Sequence, residues 1–246
     1  MSPLAALLGR PSPRSVADAS CTPAPVAGRS RASLASELLS AVELGRLMRA
    51  APWLARAPRG DGRIVIDLPG WRAPEVSGAP LRTYLRFLGY DARGWGLGRN
   101  RGTPERDVDR LVELLPRLSP DRPIALVGWS LGGMIAREVA REIPDQIEQI
   151  ITFGSPTVGG PTYTAAAATF GEKECRRVDK FLHLRATERP LALPVTAIYS
   201  KRDGVVDWRA CIDRSSSDVE HVEVRSTHLG LGIDPDVWWA VANALA

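Results

Sequence analysis

The 246-residue sequence predicts an α/β fold, in which a mostly parallel central sheet carries helices on both faces. Short apolar runs of the kind found in buried parallel strands alternate along the chain with segments whose apolar residues recur at helical spacing. The composition, 44% hydrophobic and 24% charged, is that of a globular chain with one sizeable core. Folds of this class bind ligands at the carboxyl ends of their strands, so residues at those ends are the first candidates for a functional site.

The chain divides into three stretches. Residues 1 to 32 are rich in Pro, Ser, Ala and Arg with little periodicity, which predicts a disordered tail. Residues 33 to 58 predict an N-terminal helical segment, whose amphipathic helix ends before Pro52. Residues 59 to 246 carry the strand and helix alternation and form the α/β domain.

The domain begins with a buried strand, "RIVIDL", which stops at Pro69 and Gly70. A helix in "LRTYLRFL" follows, and then a short strand and a Gly-rich loop in "YDARGWGLGRNRG". That loop lacks the G-K-[ST] element of a phosphate-binding loop, so it is interpreted as structural. The next helix opens with Thr103 as N-cap and Pro104 at its first position.

A strand, a turn and a helix then follow one another directly around a serine. Residues 123 to 127 are an apolar run, and helical spacing resumes after the turn and continues to Pro144. Between them lies Gly128-Trp129-Ser130-Leu131-Gly132, a G-x-S-x-G pentapeptide typical of a nucleophile elbow. Its glycines allow strand and helix to approach closely, and its corner displays the serine hydroxyl, so Ser130 is the candidate nucleophile.

Three further strands are predicted after the elbow, in "IEQIITFGSP", "LPVTAIYS" and "VEHVEVRS". The last segment, "PDVWWAVANAL", is apolar enough to form a helix packed on the sheet.

A serine nucleophile needs a general base, ordinarily an imidazole, and the chain has three histidines. His183 lies in a segment interpreted as irregular, and His221 lies inside a predicted strand, so each is better explained by a surface or lining position. His228 follows the last strand in a Gly-rich loop, at the edge where Ser130 is expected. His228 is therefore the candidate base.

A carboxylate should orient that base, and two aspartates follow the strand "LPVTAIYS". Asp203 lies just beyond the strand end and is followed by Gly204, which lets the loop turn toward the centre of the sheet. Asp207 is better explained as the N-cap of a helix that begins at Trp208. Asp203 is the preferred acid.

Attack on a carbonyl builds a negative oxygen, which backbone N–H groups can stabilise. One candidate donor is the amide of Leu131, at the start of the helix after the nucleophile, and the other is the amide of Trp71, in the turn after the first strand.

Charge and cysteine content exclude several other classes. The net charge is +4, but the arginines are scattered among acidic residues and form no basic stripe, so no nucleic-acid partner is expected. Three separated cysteines suggest neither a disulfide framework nor paired metal ligands. No signal peptide or membrane-spanning run is recognised, so a cytoplasmic location is expected.

The order Ser130, Asp203, His228, together with "VGWSLGG", "YSKRDGVVDW" and "THLGLG", resembles the lipase and esterase branch of the α/β-hydrolase family over residues 60 to 246. The turn "DLPGW" departs from the family's usual His-Gly turn by placing Pro69 where His is common. The resemblance implies a Ser-His-Asp hydrolase that cleaves carboxylic esters through an acyl-enzyme and needs no metal or cofactor.

The same resemblance leaves several alternatives open. Residues 156 to 193 match the place where the family often builds a cap over the pocket, and a helical excursion covering the sheet explains them equally well. An acyltransferase or a peptidase could use the same triad, and a non-catalytic binding protein could share the fold. The expected substrate is a small-molecule or lipid ester; transient contact with a lipid surface, the acyl length and the oligomeric state stay open.

Overall fold

The structure, a computed structural model, describes residues 40 to 246, with side chains from residue 45 onward. The predicted tail over residues 1 to 32 and the first part of the predicted N-terminal helix lie outside these residues. Within them, six strands form one sheet: β1 Ile64–Leu68, β2 Asp91–Gly94, β3 Ile124–Trp129, β4 Ile147–Phe153, β5 Val195–Ser200 and β6 Val219–Val224. Every pairing is parallel, and the order across the sheet is β2-β1-β3-β4-β5-β6.

Helices cover both faces of this sheet, which confirms the predicted fold class. The helices are α1 Ser40–Leu54, α2 Ala79–Leu88, α3 Pro104–Leu118, α4 Leu131–Glu142, α5 Ala167–Phe170, α6 Glu172–Glu188 and α7 Pro235–Ala244. Successive strand residues point to opposite faces, so that Val65 packs in the layer of α1, α2 and α7 while Ile66 packs with α3 and α4. Central strands buried on both faces explain the unbroken apolar runs in the sequence.

The end of α1 differs from the prediction, because the helix continues through Pro52 to Leu54 instead of ending before the proline. A proline inside a helix removes one backbone hydrogen bond. Packing of the last turn offsets this cost: Leu54 is buried, and the ring of Trp53 stacks on Trp239 of α7 with centroids 4.2 Å apart.

Two smaller predictions also need correction. Thr103 precedes α3 and Pro104 begins it, but the Thr103 side chain caps no backbone N–H; its hydroxyl lies 3.4 Å from the Asp107 carboxylate. His183 was assigned to an irregular segment, whereas it lies on the exposed side of α6. The charged residues of α6 mask its helical periodicity, because most of the helix surface faces solvent.

The sheet topology determines where a site can form. The chain passes from β1 outward to β2 and then returns to place β3 on the other side of β1. The connection after β1 leads to one side of the sheet, toward β2, and the connection after β3 leads to the other side, toward β4. A crevice therefore opens between the carboxyl ends of β1 and β3. The turn after β1 and the turn after β3 meet at this crevice.

Candidate active site

Ser130 occupies the sharp turn between β3 and α4. Its backbone has φ 53° and ψ −119°, a conformation that side-chain-bearing residues rarely adopt and that costs about 1 to 3 kcal/mol. The amide N–H of Ser130 donates to the carbonyl of Phe153 at the end of β4 (2.9 Å), which holds the turn in place. The sequence-predicted elbow is therefore present as a strand, a single strained residue and a helix.

The two glycines of the pentapeptide are required by close packing. A Cβ at Gly128 would lie 2.4 Å from the Cα of Gly133, and one at Gly132 would lie 2.2 Å from the carbonyl oxygen of Leu68. Both contacts are with backbone, which cannot move aside as a flexible side chain could. Any larger residue would therefore separate α4 from β3 or from β1.

His228 and Asp203 form a buried pair near the elbow. The Nδ1 atom of His228 lies 2.7 Å from Oδ2 of Asp203, and the two residues are 4% and 2% exposed. Asp203 follows β5, and His228 follows β6, so neighbouring strands bring them together from positions 25 residues apart.

The second carboxylate oxygen of Asp203 is held by its own loop. Oδ1 accepts hydrogen bonds from the backbone N–H groups of Val205 (2.8 Å) and Val206 (2.7 Å). These bonds fix the carboxylate so that Oδ2 faces the imidazole. Asp207, the alternative acid, instead accepts from the N–H of Arg209 (3.0 Å) and caps the short helix Trp208–Cys211, as the sequence predicts.

Ser130 and His228 approach the same point of the sheet through β4. Ser130 is hydrogen-bonded to Phe153, and the following residue, Gly154, packs against the His228 ring. Gly154 has φ +59°, and a Cβ there would lie 3.1 Å from Nδ1 of His228. Trp129 tilts against the same imidazole with centroids 5.6 Å apart. Sequence reasoning missed Gly154, although its position directly after a strand, beside Ser155 and Pro156, was a usable signal.

The turn after β1 brings the second candidate oxyanion donor to Ser130. A Cβ at Gly70 would lie 3.3 Å from the Cβ of Ser130, so the turn directly adjoins the elbow. Trp71 and Leu131 line the same cavity as Ser130. Across the described residues 40 to 246, neither backbone amide N–H has an acceptor. Unpaired donors beside a displayed hydroxyl suit a site where negative charge develops.

Asn100 holds this turn, and the sequence analysis did not identify it. Asn100 is fully buried; its Nδ2 donates to the carbonyl of Pro69 (2.9 Å), and its backbone carbonyl accepts from the N–H of Arg72 (2.9 Å). Its backbone N–H donates to Ala73 (3.0 Å). Arg72 has φ 60°, so the turn is strained and needs such support. The Gly-rich loop that carries Asn100 thus positions the turn.

A cavity of about 180 Å³ opens beside Ser130. The turn after β1 and the start of α4 form one side, and the segment between β4 and β5 forms the other through Pro156, Pro161, Thr164, Phe170 and Val178. Trp71 and Phe170 meet across it with ring centroids 5.4 Å apart. The walls are mainly apolar, which suits an organic substrate.

The fold is that of an α/β hydrolase. The chain belongs to the alpha/beta hydrolase family, whose model matches residues 52–243. This confirms the family suggested by the sequence motifs.

Among curated proteins, the chain is similar to two pimeloyl-[acyl-carrier protein] methyl ester esterases. The Proteus mirabilis enzyme is 29% identical over 124 residues, which cover 48% of this chain and 45% of that enzyme. The Aliivibrio salmonicida enzyme is 31% identical over 100 residues, 39% of this chain and 37% of that enzyme. The chain thus matches less than half the length of either relative.

Among solved structures, the chain resembles a metagenomic carboxyl esterase with a TM-score of 0.58 and 14% identity, covering 76% of each chain. At that identity the likeness shows the fold. In residues 40 to 246, no helix combines the length and apolar character needed to cross a membrane.

Proposed function

We propose that this protein hydrolyses carboxylic esters through an acyl-enzyme on Ser130, with His228 as general base and Asp203 as the carboxylate that orients it. The observation that carries the proposal is the buried 2.7 Å contact between His228 Nδ1 and Asp203 Oδ2, beside a strained serine at the sheet's switch point. The curated esterase relatives support an ester as the substrate.

In the proposed reaction, the Ser130 hydroxyl attacks the ester carbonyl while His228 accepts its proton through Nε2, the ring nitrogen that does not face Asp203. The resulting oxyanion accepts hydrogen bonds from the amides of Leu131 and Trp71, each worth on the order of 3 kcal/mol. His228 then protonates the departing alcohol. Water, activated by the same imidazole, cleaves the acyl-enzyme and releases the acid.

We also propose that residues 156 to 193 act as a cap over the cavity. Eight residues between 156 and 178 line the cavity. Three of them, Glu174, Arg177 and Val178, belong to α6, a helix in which only Cys175 is buried.

The proposed function is tested by hydrolysis of p-nitrophenyl esters by the wild type and by Ser130→Ala, with folding of both checked by circular dichroism. We expect turnover by the wild type and loss of at least 10³-fold in the folded variant. Equal rates for both proteins would overturn the proposal. Added glycerol tests the acyl acceptor: free acid as the main product supports hydrolysis, whereas glyceryl ester would indicate a transferase.

A further inference from the structure

A second hollow adjoins the cavity around Ser130. It lies between α3, α4 and α6 and has a volume of about 260 Å³, against about 180 Å³ for the cavity. Cavity and hollow share five lining residues, which are Pro104, Glu105, Met134, Arg177 and Val178. They are therefore adjoining parts of one depression, and we call the second part the α3/α6 groove.

The surface of the α3/α6 groove is mainly apolar, although charged residues also line it. Val108 of α3 and Ile135 of α4 form its floor, and Phe181 and Leu182 of α6 form its outer side. Phe181 is 43% exposed, so its ring adds accessible apolar surface to this side of the groove. Six charged residues also line the groove, and five of them are paired: Arg185 with Glu138 (2.8 Å) and Glu142, and Arg177 with Glu105. The groove thus suits a hydrocarbon occupant.

Two of the shared lining residues, Met134 and Val178, converge with Leu182 of the groove beside the buried Gly160. A Cβ at Gly160, which has φ +53°, would lie 2.8 Å from Val178, 3.1 Å from Leu182 and 3.5 Å from the terminal methyl of Met134. The tips of these three side chains therefore converge at the junction. Met134 is the flexible member, because its unbranched side chain changes rotamer at low cost and can allow a chain to pass.

We propose that the α3/α6 groove binds the distal part of a linear aliphatic arm of the ester whose carbonyl lies at Ser130. This inference rests on the proposed function. The cavity alone is smaller than the roughly 300 to 1,000 Å³ of common ligand sites, so a long arm has to continue into the groove. Each methylene transferred from water to the groove should improve binding by about fourfold. Esters with arms of about ten carbons are then better substrates than butyl or butyryl esters.

Two ester series identify which arm enters the groove. One varies the acyl chain of p-nitrophenyl esters from four to ten carbons, and the other varies the alcohol chain of acetate esters over the same range, both below micelle-forming concentrations. For the arm that enters, Leu182→Trp should lower the ten-to-four-carbon ratio of kcat/KM by about 10-fold. Leu184→Trp is the matched control, because Leu184 is on the same helix, 48% exposed, and lines neither hollow. Leu184→Trp should leave the ten-to-four-carbon ratio of kcat/KM within twofold of the wild-type value in both ester series.

A second variant tests the groove independently if Leu182→Trp does not fold. Phe181→Ala removes part of the outer wall at an exposed position and should lower the same ratio about threefold, with Leu184→Ala as its control. Ratios that change by less than twofold in both groove variants, or equally in the controls, would overturn the proposal.

Binding separates failure of the groove from failure of the proposed function. Isothermal titration of the Ser130→Ala protein with p-nitrophenyl decanoate and butyrate requires no turnover. Tighter binding of the decanoate, reduced about 10-fold relative to the butyrate by Leu182→Trp, supports the groove, even if the wild type hydrolyses no ester and the hydrolase proposal falls. Equal affinity for both esters overturns the groove, even if short esters are hydrolysed at Ser130.

Discussion

Two buried aspartates, Asp203 and Asp213, each lie beside a histidine, yet the two regions are built in opposite ways. At the first, the Asp203 carboxylate faces the ring of His228 at 2.7 Å. At the second, the backbone N–H of Asp213 donates to Nε2 of His221 (3.0 Å), and the Asp213 carboxylate faces Arg137 (2.7 Å). Proximity of Asp and His is common to both; the partner of the carboxylate differs.

The electrostatics of the second region are those of a structural site. Burial would raise the pKa of Asp213, but the Arg137 guanidinium and hydrogen bonds from Ser216 and Ser215 hold it well below its usual range. Burial lowers the pKa of His221, whose Nε2 acts as a hydrogen-bond acceptor and must therefore be neutral. The Asp213 charge is already compensated, so this region stabilises the fold.

In the region of Asp203 and His228, one carboxylate oxygen is held by backbone and the other faces the imidazole. Backbone amides hold Asp203 Oδ1, and Oδ2 is directed at the ring that lies beside the elbow. A carboxylate held in this way can stabilise a positive charge that appears on His228 only during a reaction. The partner of the carboxylate, imidazole or guanidinium, thus distinguishes the candidate catalytic pair from the structural one.

The largest expected effect separates the two histidines. His228→Ala should lower kcat/KM for p-nitrophenyl butyrate by about 10³-fold or more, because the base is removed. His221→Ala should keep activity within a few fold but lower the free energy of unfolding by about 1 to 3 kcal/mol, since the buried Asp213 N–H loses its acceptor. Ester kinetics and urea denaturation check the pair, and similar activity losses in both variants would break the comparison.

The two aspartates should differ as the two histidines do, with loss of activity at Asp203 and loss of stability at Asp213. Asp203→Asn should lower kcat on the order of 10³-fold, because an amide neither favours the correct tautomer nor compensates an imidazolium. Asp213→Asn should leave kcat within a few fold and destabilise the protein by about 3 kcal/mol, because Arg137, 4% exposed, loses its counter-charge. A stable but inactive Asp213→Asn protein would contradict this division.

A third buried polar residue, Asn100, contacts neither histidine and tests the oxyanion side separately. Asn100→Ala should lower kcat about 10- to 100-fold while KM changes less than threefold, because the displaced Trp71 amide stabilises the transition state more than bound ester. Asn243→Ala is the control, since Asn243 is exposed and bonds only locally to Trp239. A raised KM with unchanged kcat would assign Asn100 to substrate binding instead.

The smallest expected effect is a pH dependence of stability from the structural region. The pKa of His221 is lowered from 6.5 in the folded protein, so below about pH 6.5 the unfolded chain takes up a proton that the folded chain resists. Acid should therefore destabilise the wild type more than His221→Gln, which keeps an acceptor but does not titrate. Urea titrations between pH 7.5 and 5 measure this difference, with His183→Gln on the protein surface as control. If the difference in the free energy of unfolding between the wild type and His221→Gln stayed constant over this pH range, His221 would not be held neutral in the folded protein.

The sheet and the elbow could be predicted because their signals are local. The apolar runs of β1, β3, β4 and β5, the alternating pattern of β6, the small residues around Ser130 and the helix stop at Pro144 are all visible in the sequence. The positions of Asp203 and His228 followed from a general property of parallel sheets, whose carboxyl ends share one edge. Their assignment as a pair rests on that shared edge, on the poorer positions of His183 and His221, and on the N-cap position of Asp207.

Other features could not be predicted, because they depend on segments distant in the sequence. Asn100 reaches Pro69 across 31 residues, and nothing in "GLGRNRG" indicates that contact. Pro52 is accommodated in α1 because Leu54 is buried and Trp53 stacks on Trp239, which is distant in the sequence. The α3/α6 groove exists because a mostly polar helix is positioned beside α3 and α4, and its apolar residues are too few to predict that position.

The central claim is that Ser130 is the nucleophile, and covalent labelling tests it most directly. The folded protein is treated with a fluorophosphonate, and the modified residue is identified by tandem mass spectrometry of its peptides. The account predicts one adduct, on Ser130, that is absent from Ser130→Ala and forms at least 100-fold more slowly in His228→Ala. An adduct on another residue, or labelling of Ser130 at an unchanged rate without His228, would contradict it.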